Sequence, residues 1–156
     1  MKSIVVYYSL TENTKFLAKE IAKFVNADLL ELKPEKEISK GLTKYLWGGK
    51  QVFMKEKPKL NKIDKKIENY DQIFIGTPVW AWTFTPPIRT FLSENKIAGK
   101  KVYLFASHEG GLGKTLEDLK KQLENNKQIS KIDFYKPLEN IEKCKKQIAE
   151  WLEIKS

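Results

Sequence analysis

The hydrophobic positions of this chain follow two patterns that alternate along the sequence. Short runs of β-branched and aromatic residues without polar alternation predict strands buried on both faces. These runs occupy residues 4–8, 27–32, 70–77, 101–106 and 129–135. Apolar residues that recur three and four positions apart predict amphipathic helices. These lie at residues 15–25, 41–47, 86–93, 112–123 and 141–152.

This alternation predicts an α/β fold with a doubly wound, five-stranded parallel sheet. Strands that alternate with helices form parallel sheets through right-handed crossovers, and the helices cover both faces to give three layers. The polar, lysine-rich residues 60–69 are expected to form a surface connection. The 156 residues suffice for one domain with one sizeable core, so we expect a single domain over residues 1–156.

The amino-acid composition argues against several classes of protein. The formal charge is +9, but the lysines are dispersed among glutamates, which is typical of a solvated surface rather than a nucleic-acid interface. No apolar run approaches the ~20 residues of a membrane span. The single cysteine, Cys144, excludes an internal disulfide, and its place on an apolar helical stripe predicts a buried, inert thiol. With no export signal, we expect a cytoplasmic location without a membrane span or a nucleic-acid partner.

The loop after the first predicted strand carries the first candidate site. It consists of Ser9, Leu10, Thr11, Glu12, Asn13 and Thr14. Unpaired backbone amides at a helix N-terminus attract anions, and the hydroxyl and amide side chains add neutral donors. The loop therefore predicts a phosphate site, with an ordinary well-capped βα loop as the alternative, in which Thr11 or Asn13 is the N-cap.

Two further loops are unusual for their aromatic and glycine content. The first contains Pro78, Val79, Trp80, Ala81 and Trp82, and the second contains Ser107, His108, Gly110, Gly111 and Gly113. Two exposed tryptophans are costly unless they cover something flat and apolar, although either could instead pack on the end of the sheet. The glycines allow a backbone to approach a ligand closely. One histidine and one cysteine make a zinc site implausible, and we expect His108 to be a loop residue rather than a catalyst.

These three loops resemble, in order, the flavin-binding loops of the flavodoxin family. The first is similar to the FMN phosphate loop, except that Glu12 stands where the family has glycine. The resemblance implies strand order 2-1-3-4-5, with FMN bound at the switch point between strands one and three. It further implies that Ser9, Thr11, Asn13 and Thr14 hold the phosphate and that Trp80 and Trp82 flank the ring. Ser107, Gly110 and Gly111 would meet its pyrimidine edge.

Three functions remain open from the sequence. The resemblance implies an electron carrier that acts between redox partner proteins or small-molecule acceptors. A second reading is an FMN-dependent NAD(P)H oxidoreductase of the quinone reductase type, whose second substrate would bind at a homodimer interface. A third is a flavin-free binding module with a site degraded by Glu12. Residues 77–84 contain no acid, and together with the +9 charge this favours a less negative potential and two-electron chemistry.

Overall fold

The computed structural model describes residues 1–36 and 57–155 of the chain. Its five strands are β1 (Ser3–Tyr7), β2 (Asp28–Glu31), β3 (Gln72–Pro78), β4 (Lys101–His108) and β5 (Gln128–Tyr135). They form one parallel sheet in the order β2-β1-β3-β4-β5, which confirms the predicted topology. The order places β1 and β3 side by side at the point where the winding reverses, so a crevice opens at their carboxyl ends.

Four α-helices lie on the two faces of the sheet within the described residues. They are α1 (Glu12–Val25), α2 (Pro86–Glu94), α3 (Thr115–Lys121) and α4 (Ile141–Lys155). The predicted helix at residues 41–47 lies outside the described residues. Two Pro residues open α2, where a missing amide proton costs nothing.

Alternate residues of β1, β3 and β4 supply two separate hydrophobic cores. On β1, Ile4 and Val6 face the core beneath α2 and α3, whereas Val5 and Tyr7 face the core beneath α1 and α4. The central strands are therefore apolar on both faces, as the unbroken hydrophobic runs predicted. Cys144 is 1% exposed in the second core, and burial raises the pKa of its thiol, which favours the unreactive protonated form.

Several boundaries differ from the sequence predictions, and two of these differences bear on function. Helix α1 begins at Glu12, three residues before the predicted start. Strand β4 extends two residues beyond the prediction because Ser107 and His108 continue to pair with β5. Both residues therefore belong to a strand end rather than to a loop, and the sheet fixes their backbone.

The segment predicted as a surface connection is anchored more firmly than its composition suggested. Its lysines are largely exposed, but Leu60 and Ile67 are buried in the core beneath α2. Leu60 pairs with Pro34 through an isolated antiparallel bridge, and Ile67 begins a short 3-10 helix, Ile67–Asn69. Over the described part of the chain, no helix is both long and apolar enough to traverse a bilayer.

Candidate functional site

A cavity of about 310 Å³ opens at the carboxyl ends of β1, β3 and β4. It is lined by Leu10, Thr11, Asn13, Pro78, Val79, Trp80, Ala81, Ser107, His108, Glu109 and Pro137. Its size falls in the usual range for small-molecule sites, and its lining combines apolar walls with a few polar groups. All three loops singled out from the sequence contribute to it. The structure thus brings together nine of the sixteen predicted site residues.

The start of α1 presents backbone amides at one end of this cavity. Thr11 is the N-cap residue, but its own side chain forms no capping hydrogen bond. The Ser9 hydroxyl donates to the Thr11 carbonyl and accepts from the Lys15 amide at 3.2 Å, so Ser9 shapes the loop from outside the lining. The amides of the first helical turn have no partner within a helix, and the dipole of the 14-residue helix favours an anion beside them.

The charges near this helix start are unfavourable for a purely ionic phosphate site. Glu12 is exposed in the first turn of α1, outside the cavity lining. Lys15, which follows the loop in the sequence, forms an ion pair with Glu31 at 3.7 Å. Burial and then the negative charge of Glu31 raise the pKa of Tyr7, so that phenol stays neutral. Any anion held here would depend on neutral hydrogen-bond donors and the helix dipole.

The Thr14 side chain makes a contact within the protein that its motif position did not predict. Its hydroxyl lies 2.7 Å from the Ser107 hydroxyl, and both side chains are buried. Thr14 does not line the cavity, whereas Ser107 does. The pair therefore joins the first turn of α1 to the end of β4 and fixes two walls of the cavity relative to each other.

We expect Thr14→Val to destabilise the fold by about 1–2 kcal/mol, because the buried Ser107 hydroxyl would lose its partner. Thermal or denaturant unfolding measures this cost. The matched control is Thr14→Val combined with Ser107→Ala, which removes both polar groups and should recover part of the lost stability. A double variant with the summed loss of the two single variants would show that the pair is not coupled.

The second wall is a tight aromatic hairpin. Trp80 contacts Tyr8 edge-on, with ring centroids 5.4 Å apart and an interplanar angle of 86°. Trp80 and Thr83 exchange two backbone hydrogen bonds of 3.0 Å around a turn whose central residues, Ala81 and Trp82, have φ of 47° and 66°. Turns of this kind usually use Asn-Gly, so two side chains here carry backbone strain.

Trp82 lies outside the cavity lining, and the predicted glycines lie with it. Its indole is 70% exposed, but one edge rests on Gly111, where an added Cβ would come within 2.8 Å of the ring. Gly113 has φ of +57°, and a Cβ there would lie 2.6 Å from the Trp82 carbonyl oxygen. These two glycines thus leave the space that Trp82 occupies, and their contact with a ligand stays a prediction. Gly110, at φ +154°, also lies outside the lining.

His108 also lines the cavity, at the end of β4. Its Nε2 is 2.8 Å from Oδ2 of Asp133, which lies on the neighbouring strand β5. Its Nδ1 is buried and has no hydrogen-bond partner among the described residues. Buried polar atoms are rarely left without a hydrogen-bond partner in native proteins, so the lack of a partner at Nδ1 is unusual.

Two lining residues, Glu109 and Pro137, were missed by the sequence analysis. Pro137 begins a 3-10 helix, Pro137–Glu139, directly after β5. The Leu138 amide donates to Asn13 Oδ1 at 3.1 Å, which holds this turn against the start of α1. The rule that ligands bind at carboxyl strand ends would have found Pro137 if it had been applied to the fifth strand as well. In residues 1–36 and 57–155, no cluster of three potential metal ligands is present.

Comparison with known proteins agrees with this architecture. A flavodoxin family model matches residues 2–155. A Bacteroides eggerthii DSM 20697 protein with a provisional flavoprotein assignment is 28% identical, with a TM-score of 0.76 and coverage of 98% of this chain and 96% of that one. A Lactobacillus acidophilus NCFM flavoprotein in complex with FMN is 24% identical, with a TM-score of 0.69 and coverage of 83% and 92%. No curated protein sequence matches significantly. The chain belongs to the flavodoxin family.

Proposed function

We propose that this protein binds FMN in the cavity at the carboxyl ends of β1, β3 and β4. The observation that carries the proposal is the convergence of a helix N-terminus, an aromatic wall and a polar strand end on one space of about 310 Å³. A phosphate, a flat heteroaromatic ring and a hydrogen-bonding edge are the matching parts of FMN. The FMN complex of the Lactobacillus acidophilus protein, which shares the fold, is consistent with this assignment.

The residues present fit the three parts of FMN. Thr11, Asn13 and the first amides of α1 would hold the phosphate with neutral donors. Trp80 and Val79 would supply apolar contact to the ring. Ser107 and His108, at the end of β4, would meet its polar edge.

We propose that the bound FMN serves electron transfer between redox partners. FMN supplies the redox chemistry, and the protein binds it, orients it and sets its electrostatic surroundings. The partners would be redox proteins or small-molecule acceptors that reach the cavity mouth. An anaerobic titration that follows electron exchange with such acceptors tests this role, and it requires the loaded protein, a chemical reductant and the acceptor.

A second candidate is an FMN-dependent NAD(P)H oxidoreductase. The observation that favours it is the 70% exposed indole of Trp82 beside the cavity, where a planar nicotinamide or quinone could rest. Such enzymes would use NAD(P)H as the electron donor, and a homodimer would bring further surface to the site. Anaerobic addition of NADH or NADPH discriminates the two functions, because only the oxidoreductase would bleach the flavin rapidly.

The phosphate assignment predicts a difference between FMN and riboflavin. We expect Thr11→Ala to weaken FMN binding by about 1 kcal/mol, the cost of one lost hydrogen bond to a charged group. Riboflavin, which lacks the phosphate, should lose little. Isothermal titration of both ligands measures the difference, with Ser93→Ala on α2 as a control outside the cavity lining. An equal loss for the two ligands would remove Thr11 from the phosphate site.

A further inference from the structure

The aromatic hairpin that carries Trp80 is tied to the start of α3 by two hydrogen bonds. The Lys114 amide donates to the Trp82 carbonyl at 2.9 Å, and the Thr83 hydroxyl donates to Asp118 Oδ2 at 2.7 Å. Lys114 directly precedes α3, and Asp118 lies in its first turn. None of the α3 residues lines the cavity. The tip of the hairpin is therefore fastened to an element that lies outside the site.

The bond to Asp118 reaches Trp80 through the backbone of the hairpin. Trp80 and Thr83 exchange two backbone hydrogen bonds of 3.0 Å, so the position of one residue constrains the position of the other. Between them, Ala81 and Trp82 have positive φ, a strained conformation that persists only where the surrounding structure imposes it. Of the two bonds to α3, the one to Asp118 is made by side chains and can be removed by substitution.

The Asp118 carboxylate also faces a cation on α2. Phe84, which follows the hairpin, is buried, and the central carbon of the Arg89 guanidinium lies 4.5 Å from the centre of its ring. Burial lowers the pKa of Arg89, and the negative charge of Asp118 opposes this shift. A hydroxyl donor on the hairpin and a cation on α2 thus both stabilise the charged form of the Asp118 side chain.

We infer that Asp118 is a positioning residue for the flavin ring, because its bond to Thr83 fixes Trp80 in the wall of the cavity. This inference rests on the proposed binding of FMN and on Trp80 as a contact of its ring. Asp118 lies outside the lining, and its charge would repel the phosphate of FMN. By charge alone, its removal would favour FMN, whereas a displaced Trp80 would weaken FMN and riboflavin alike. The two effects have opposite signs, so a titration separates them.

Titration of four single variants with FMN and riboflavin tests the role of the bond. Asp118→Ala removes the acceptor and Thr83→Val removes the donor, and we expect each to weaken the binding of both flavins by about 3- to 10-fold. Asp118→Asn keeps an oxygen that accepts from Thr83, so its affinities should stay within about twofold of the parent. Glu117→Ala is the matched control, because it removes a neighbouring carboxylate that pairs with Lys131 instead, and it should also match the parent.

A comparison in the Trp80→Ala background separates positioning from a general effect on the fold. Without the indole there is nothing for Asp118 to position, so Asp118→Ala should cause no further loss of affinity for either flavin. A carboxylate that only stabilised the fold would have the same effect on binding in both backgrounds. Equal losses with and without Trp80 would overturn the inference.

The failures of the two proposals are distinguishable. If the parent protein binds neither flavin, the proposed function fails and the inference falls with it. If the parent binds FMN but Trp80→Ala, or both Asp118→Ala and Thr83→Val, leave the affinity unchanged, the proposed function stands and the inference is wrong. Should Asp118→Ala fold poorly, Thr83→Val still decides the outcome, because it removes the same hydrogen bond and keeps the size of a half-buried side chain.

Discussion

Replacing Trp80 with alanine should weaken FMN binding by about 1–3 kcal/mol, or roughly 5- to 150-fold in Kd, by analogy with bases that stack on aromatic side chains. Trp80 lines the cavity, and its edge-on contact with Tyr8 holds the indole in place. Titration of the flavin-free protein with FMN, followed by flavin absorbance, measures the change.

Trp82→Phe is the matched control for this result. Trp82 lies one residue from the lining and is mostly exposed, and phenylalanine keeps an aromatic contact with Gly111. We expect its FMN affinity to stay within about threefold of the parent, a difference of roughly 0.7 kcal/mol. A large loss in Trp82→Phe with none in Trp80→Ala would move the ring contact to Trp82.

The largest stability effect is expected at Gly76 in the middle of the sheet. A Cβ added to this glycine would lie 2.1 to 2.8 Å from three carbons of the Phe105 ring on the adjacent strand. Phe105 is fully buried, so its ring has little room to give way. We expect Gly76→Ala to cost about 3 kcal/mol, at the upper end of the usual range for overpacked cores. Denaturant unfolding of the flavin-free protein measures it.

A second substitution shows whether the clash with Phe105 is the cause. Gly76→Ala combined with Phe105→Leu should be less destabilised than the sum of the two single variants, because leucine vacates the space that the new methyl group needs. Additive losses would mean that Gly76 is required for another reason, such as the conformation of its backbone.

The parallel sheet could be predicted because it depends on local patterns, whereas the strand order was implied by the resemblance to the flavodoxin family. The uninterrupted apolar runs in β1 and β4 indicate strands covered on both faces, and a parallel order follows from the intervening helices. The end of β4 could not be predicted as well. The fifth strand was predicted as far as Tyr135, but no local signal at Ser107 or His108 indicates that β4 continues beside it.

Residues of the candidate site were predicted best where their position depends on the loop that contains them. Thr11 and Trp80 line the cavity as their motifs indicate. Thr14, by contrast, is bonded to a residue 93 positions away, and its motif does not indicate this contact. Similarly, Gly111 and Gly113 have a glycine-rich pattern that suits a ligand, but the space they leave is filled by Trp82. Such long-range packing is absent from a local motif.

Titration of the flavin-free protein with FMN, followed by tryptophan fluorescence and flavin absorbance, tests the central proposal most directly. The proposal predicts saturation at one FMN per chain, with quenching of tryptophan emission that is largely lost in Trp80→Ala. It also predicts weaker binding of riboflavin, because the amides at the start of α1 would have no phosphate to hold. Unchanged fluorescence and absorbance at excess FMN would contradict a flavin site in this cavity.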